Sequence, residues 1–496
     1  MLDPVARDGL LLAIDQGTSA TKAVVVDLSG RVQARASVPI QQQFPQPGWA
    51  EQDALEIWRS AQEAVRLALA EVNPSRVAAV GLSTQRESML LWDRASGEPL
   101  GPLLGWQDTR GAAQCATLRA QGHAAKVREL TGLPLDAMFS ASKASALLDV
   151  HDPDRARSRR GELCLGTVDS WLLWRIGGQH LIEAGNAART QLLDITTRAW
   201  EPWLLDLFDV PVEALPRVVA STGPFVGCHD LAPLAPTVPV TGVLGDSHAA
   251  LFAHAGWQPG QVKVTYGTGS SVMTVTHSPP GASAGVARTI AWELDEPAYA
   301  LEGNIRSSGA TLTWLAAMFA STPAQIAAVA GPNSGGVVLV PAFTGLGAPW
   351  WDDQVRATIT GISAGTRLEH LARAGLEAIA FQIEDVIVAA EEAGEAIDTI
   401  LADGGPTTNV SLMQLQADTS GRHVATSQVA ELSALGAAHV AGLGAGLWSQ
   451  DDLERLPRPH TGYEPSSTAP QRAERQRGWH AAVSSALGDA HLSEIG

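Results

Sequence analysis

The sequence predicts an α/β protein made of two domains of like fold packed around a cleft. Three observations carry that prediction. A chain of 496 residues is too long for one hydrophobic core and should divide. It opens at 10–27 with an apolar run, a polar Gly-containing turn and a second apolar run, the pattern of a β-hairpin. The same strand, Gly-Thr turn and strand return at 261–276, as expected if two related domains each offer a hairpin to one ligand.

The elements follow in order. After the first hairpin, Ser29-Gly30 marks another turn and 32–40 a third strand. Three consecutive antiparallel strands differ from the βαβ entry of a dinucleotide-binding fold. The loop 41–48 holds two prolines, and 53–73 then carries a helical period through Leu55, Ile57, Trp58, Ala61, Val65, Leu67 and Leu69. A buried strand at 77–83 and a short one at 89–93 come next, and strands alternate with helices to about Pro239. The run 240–244 predicts a strand entering a tight strand-to-helix junction at Gly245-Asp246-Ser247-His248. The Gly- and Ala-rich stretch 253–260 places the boundary, giving domains 1–252 and 253–496.

With 45% hydrophobic and 17% charged residues the chain has a globular, not a disordered, composition. Its net charge of −18, from 34 basic and 52 acidic residues, argues against a general nucleic-acid or membrane-surface partner. Cys115, Cys164 and Cys228 lie far apart, so neither a metal framework nor a disulfide scaffold is expected. Residues 1–4 carry no basic leader and no stretch reaches the ~18 apolar residues of a membrane span. A cytoplasmic protein is expected.

The opening turn is rich in groups that handle phosphate. Gly17 lets backbone approach closely, Thr18, Ser19 and Thr21 bring hydroxyls, and Lys22 brings a charge. Asp15, at the end of an apolar strand, suits a hydrated Mg²⁺; an ordinary turn with capping hydroxyls is the alternative. Arg86 and Glu87 follow a second apolar strand and set a donor fork beside an acceptor, suited either to a polyhydroxylated ligand or to a structural ion pair. Asp246 can serve as general base toward an attacking hydroxyl, or merely cap a helix, with His248 as a second candidate base. Asp403-Gly404-Gly405, followed by Asn409 and a helical run, can seat a nucleotide against backbone. The Gly/Pro/aromatic loop 341–351 reads as architectural. P-loop, dinucleotide and HExxH patterns are absent.

Taken together and in order, these segments resemble the FGGY carbohydrate kinases, and among them the glycerol kinases, from about residue 10 to 450. The similarity rests on Asp15-Gln16-Gly17-Thr18-Ser19, Gln85-Arg86-Glu87, Trp106-Gln107-Asp108-Thr109-Arg110, Thr131-Gly132-Leu133-Pro134-Leu135-Asp136, Asn186-Ala187-Ala188-Arg189-Thr190, Gly245-Asp246, Tyr266-Gly267-Thr268-Gly269 and Asp403-Gly404-Gly405. It implies two actin-like, ribonuclease-H-type domains with ATP, Mg²⁺ and a small polyol or sugar between them, and a homodimer at the level of the family. It assigns Asp246 as catalytic base, Asp15 to hold Mg²⁺ through water, and Thr18, Ser19 and Lys22 to the phosphates. Gly267, Thr268, Gly309, Thr313, Gly405 and Asn409 match nucleotide positions. Arg86, Glu87 and Trp106 match the polyol grip and its aromatic wall.

The departures concern the acceptor. Glycerol kinases generally place Tyr at Met138, Phe at Ser271 and Gln at Ser247; they carry Arg at Lys22, and a glutamine often stands at Thr313. Losing a Tyr hydroxyl and a Phe ring enlarges or repolarises the pocket. A four- to five-carbon polyol or ketose is therefore expected, with glycerol close behind because Arg86, Glu87 and Trp106 are kept. A pentulose kinase like the xylulokinases is the alternative within the class. A non-catalytic sensor would be expected to lose Asp246, and an NAD-dependent polyol dehydrogenase lacks its phosphate fingerprint here.

Overall fold

The computed structural model describes residues 9–225, 227–276 and 285–492; the expectation drawn from residues 1–4 lies outside the described residues. The first half is built on β1 (Leu10–Gln16), β2 (Ala20–Asp27) and β3 (Val32–Pro39), then α1 (Ala54–Leu69) and β4 (Val77–Thr84). Its last strand, β5 (Val240–Gly245), runs into α2 (Asp246–Ala253). The sheet order is β3-β2-β1-β4-β5, with the three-strand meander antiparallel and β4 and β5 parallel to β1. β1 is buried along its whole length because both faces of the sheet are covered. α1 starts at the predicted cap, where the Asp53 carboxylate accepts the Leu55 N–H at 2.8 Å.

The second half repeats the plan. β6 (Gly260–Tyr266), β7 (Ser270–Thr276), β8 (Ala287–Glu293) and β9 (Pro297–Ile305) precede α3 (Gly309–Met318) and the long α4 (Leu368–Glu392). Then come β10 (Ile397–Asp403), α5 (Val410–Ser420), β11 (His423–Ser427), α6 (Leu432–Gly444) and β12 (His460–Tyr463). The order is β8-β9-β7-β6-β10-β11-β12. Its inner five strands match those of the first sheet in order and direction, so the repeated hairpin reflects a repeated domain plan.

One helix crosses over. α6, from the second half of the chain, lies on the first sheet: a Cβ at Gly81 would meet the Ala437 carbonyl at 2.2 Å, and one at Gly436 the Ala249 carbonyl at 1.8 Å. A shared core of Leu11, Ala13, Val24, Met273, Ala300 and Ala437 joins the two halves behind the cleft. Among the described residues no helix is long and apolar enough to cross a membrane. All three cysteines are free and buried, and burial pushes their thiols up to about 11 or 12.

Candidate active site

Asp246 begins α2, directly after Gly245 closes β5. Glycine is needed at 245 because a Cβ there would sit 2.4 Å from Arg86 Cδ. The capping alternative is not realised, since Gly245 is the cap and Asp246 the first helical residue; Asp246 Oδ1 accepts the Ser247 N–H at 2.7 Å and the side chain stays 36% exposed. Enclosure between the halves raises its carboxyl above the ordinary aspartate value, and the Arg86 guanidinium opposes that rise. Arg86 Nε stands 3.5 Å from Asp246 Oδ1.

The sequence places Arg86 as a fork toward the ligand, but the structure engages that fork elsewhere. Its Nη atoms bind Glu302 at 2.7 and 2.9 Å, and Nη1 also donates to His248 Nε2 at 3.1 Å. Only Nε is left to face Asp246. Arg86 lies 3.9 Å from Glu87, while Glu87 pairs with Arg189 at 2.5 Å and Arg189 reaches Glu302 at 3.0 Å. These five groups form one buried network. Burial pushes the Glu302 carboxyl up, but the Arg189 and Arg86 guanidiniums prevail and hold it well below the carboxylate range. His248 is the weaker candidate base. Burial and Arg86 drive its pKa far down, and because arginine can only donate, Nε2 is the accepting nitrogen.

At the opening hairpin, burial pushes the Asp15 carboxyl up to about 6 despite a 2.8 Å hydrogen bond from Ser83 and the nearby Lys22. Asp246 lies close enough to raise it further, so the two acids share one end of the cleft. Lys22 stands opposite Asp15 in the β1–β2 register, and Ser19 is exposed at the turn. Trp106 donates from its indole N–H to Thr18 Oγ1 at 3.1 Å, which joins the expected aromatic wall to the phosphate turn. A chain of glutamines braces that turn. Gln52 donates to the Thr18 carbonyl at 2.8 Å, and Gln85 donates to Gln52 and Gln16 at 2.8 and 3.2 Å.

The facing wall brings the remaining candidates together. Gly267, Thr268, Gly309, Thr313, Gly405 and Asn409 all line one cavity of about 1000 Å³. The N–H groups of Ser308 and Ala310 bind the Thr268 carbonyl, and that of Gly309 binds the Gly267 carbonyl, which locks α3 onto the β6–β7 turn. A Cβ at Gly309 would come within 2.6 Å of that Gly267 carbonyl. Gly404 has φ of 97° and no room for a Cβ, which would lie 2.0 Å from the Tyr266 carbonyl; only glycine serves. Asn409 caps α5 through the Leu412 N–H, and Thr313 turns its hydroxyl back to the Gly309 carbonyl at 3.2 Å. Met138 packs with Leu133, Phe139 and Ala287. Ser247 and Ser271 are half-buried beside the cleft.

Glu302 and Arg189 are what sequence reasoning missed. The available signal was a glutamate directly after the apolar run Tyr299-Ala300-Leu301, and an arginine in an otherwise uncharged segment at 184–190.

Comparison with known proteins places this geometry in a family. The profile of the FGGY family of carbohydrate kinases matches residues 10–253 with its N-terminal domain and 262–445 with its C-terminal domain. A glycerol kinase of Aromatoleum aromaticum is 44% identical over 95% of this chain and 99% of its own length. An apulose kinase of Pectobacterium atrosepticum is 41% identical over 96% of this chain and 98% of its own. The crystal structure of Plasmodium falciparum glycerol kinase with ADP superposes at a TM-score of 0.90, with 28% identity, over 97% of this chain and 98% of that one. A twofold actin-like plan and matches across both halves agree: the chain belongs to the FGGY family of carbohydrate kinases and is an ATP-dependent enzyme of that class.

Proposed function

We propose that the protein transfers the γ-phosphoryl group of ATP to a primary hydroxyl of a small polyol or ketose of four to five carbons. The observation that carries this reading is Asp246 standing 3.5 Å from Arg86 and close enough to Asp15 to raise its pKa. Asp246 accepts the hydroxyl proton as the oxygen attacks in line, and its raised pKa makes it a stronger base than an ordinary aspartate. Arg86, through the Nε its engaged fork leaves over, and Glu87 orient the acceptor, fixed from behind by Glu302 and Arg189. Ser247, Met138 and Ser271 shape the rest of its pocket.

Thr18, Ser19 and Lys22 contact the phosphates, and Gly267, Thr268, Gly309, Thr313, Gly405 and Asn409 hold the nucleotide. Mg²⁺ fits this site. Asp15 has one oxygen held by Ser83 and the other free, and no group of three protein ligands exists among the described residues. That suits an ion carried by one carboxylate, water and phosphates, which supplies charge neutralisation at the transferring group.

Relatives named for glycerol and for apulose frame the acceptor choice, and the loss of ring and phenol at Ser271 and Met138 favours the larger class. An ATP-coupled assay over glycerol, tetritols, pentitols and pentuloses tests it. The highest kcat/KM is expected for a four- or five-carbon acceptor; glycerol far ahead of all others would overturn the size assignment.

A further inference from the structure

β9 sorts its side chains by alternation. Gly303 and Ile305 face the core of the second half, where a Cβ at 303 would meet Val386 at 2.3 Å. Glu302 faces the other way and reaches Arg86 at 2.7 Å. Asn304 therefore shares the cleft face with Glu302, one pleat farther along. Just past the strand end, Arg306 lies 3.4 Å from Asp136, two residues before Met138. Ser271 on β7 is the cross-strand partner of Asn304 and shares its face.

Ser271 Oγ and Asn304 Nδ2 are both buried, and neither has a hydrogen-bond partner among the described residues. One such atom is a minor defect. Two side by side, between the acceptor grip and the Asp136–Arg306 pair, form a polar surface whose cost an oxygen-bearing ligand would remove. The strand repeat of about 6.8 Å carries that surface beyond the reach of a three-carbon chain gripped at Arg86.

Resting on the acceptor class argued above, we infer that Ser271 and Asn304 form a distal subsite. It receives the hydroxyl or carbonyl oxygen of the fourth or fifth carbon. Glycerol has no atom to place there, so the pair selects longer acceptors, and Met138 contributes space only.

The test measures kcat and KM of the full-length enzyme for glycerol, erythritol, xylitol, D-ribulose and D-xylulose. Asn304→Ala and Ser271→Ala are each expected to lower the kcat/KM ratio of the best longer acceptor over glycerol at least about tenfold, mainly through KM. Ser271→Thr, which keeps the hydroxyl, holds that ratio within about threefold of wild type. Equal losses on glycerol and on longer acceptors, or an unchanged ratio, would overturn the subsite. Erythritol or xylitol matching the ketoses would identify a hydroxyl, and ketoses alone a carbonyl, either supporting it. Wild-type turnover confined to glycerol would overturn both the subsite and the size assignment, while leaving the role of Asp246 standing.

Discussion

Glu302 holds two guanidiniums in a place that water does not reach. Removing its charge leaves Arg86 and Arg189 buried and under-compensated, so Glu302→Gln should destabilise the fold by about 3–5 kcal/mol. Chemical denaturation measures this, and a loss under 1 kcal/mol would show that the network is not what fixes Arg86. Protonation acts at the same scale. Asp15 titrates near 6 and Asp246 above the ordinary value, so kcat/KM should fall as pH drops through about 6. The sign for stability is opposite. Because the folded pKa of Asp15 exceeds its unfolded one, its contribution is fully present below about pH 4 and is lost as pH rises through about 6. Asp15→Asn should therefore raise stability at pH 8 by at most about 3 kcal/mol, read by chemical denaturation, while lowering activity. Asp15, Arg86 and Asp246 were legible in the sequence because each is a charge at the end of an apolar strand. Glu302 and Arg189 were not, since their partners lie 102 to 216 residues away and only the fold introduces them.

The two hairpins were legible as elements for a simple reason: apolar runs broken by a Gly-Thr turn leave few alternatives to a β-ribbon. The junction at Gly245-Asp246 was equally plain. The crossing of α6 was not, because a helix rich in alanine and glycine says that something packs closely without naming the partner. The close contacts supply the name. Gly81→Ala would drive a methyl group into the Ala437 carbonyl at 2.2 Å, on a strand buried on both faces. Overpacking of this kind costs about 1–3 kcal/mol, and thermal unfolding should show it without any change at the nucleotide wall. Gly122→Ala, where a Cβ meets nothing within 4 Å though φ is 85°, gives the strain of positive φ alone as a control.

At the scale of the whole molecule the cleft is divided between two sheets of one design, and neither half holds a complete site. The hairpin with Asp15 and Lys22 and the junction with Asp246 come from the first, and the cavity lined by Thr268, Gly309 and Gly405 from the second. On the proposed assignment ATP spans both, so it should raise the melting temperature in proportion to the logarithm of its concentration. Closure of the halves would also exclude water and limit idle hydrolysis. The domain plan was legible from the repeated hairpin, whereas the acceptor was not, because on the proposed reading its choice turns on a few side chains at 138, 271 and 304. The most direct test of the account is Asp246→Asn, with phosphoryl transfer and ATP affinity measured on the same preparation. The account predicts a fall in kcat of about 10²–10⁴ with ATP affinity retained; turnover close to wild type would contradict it.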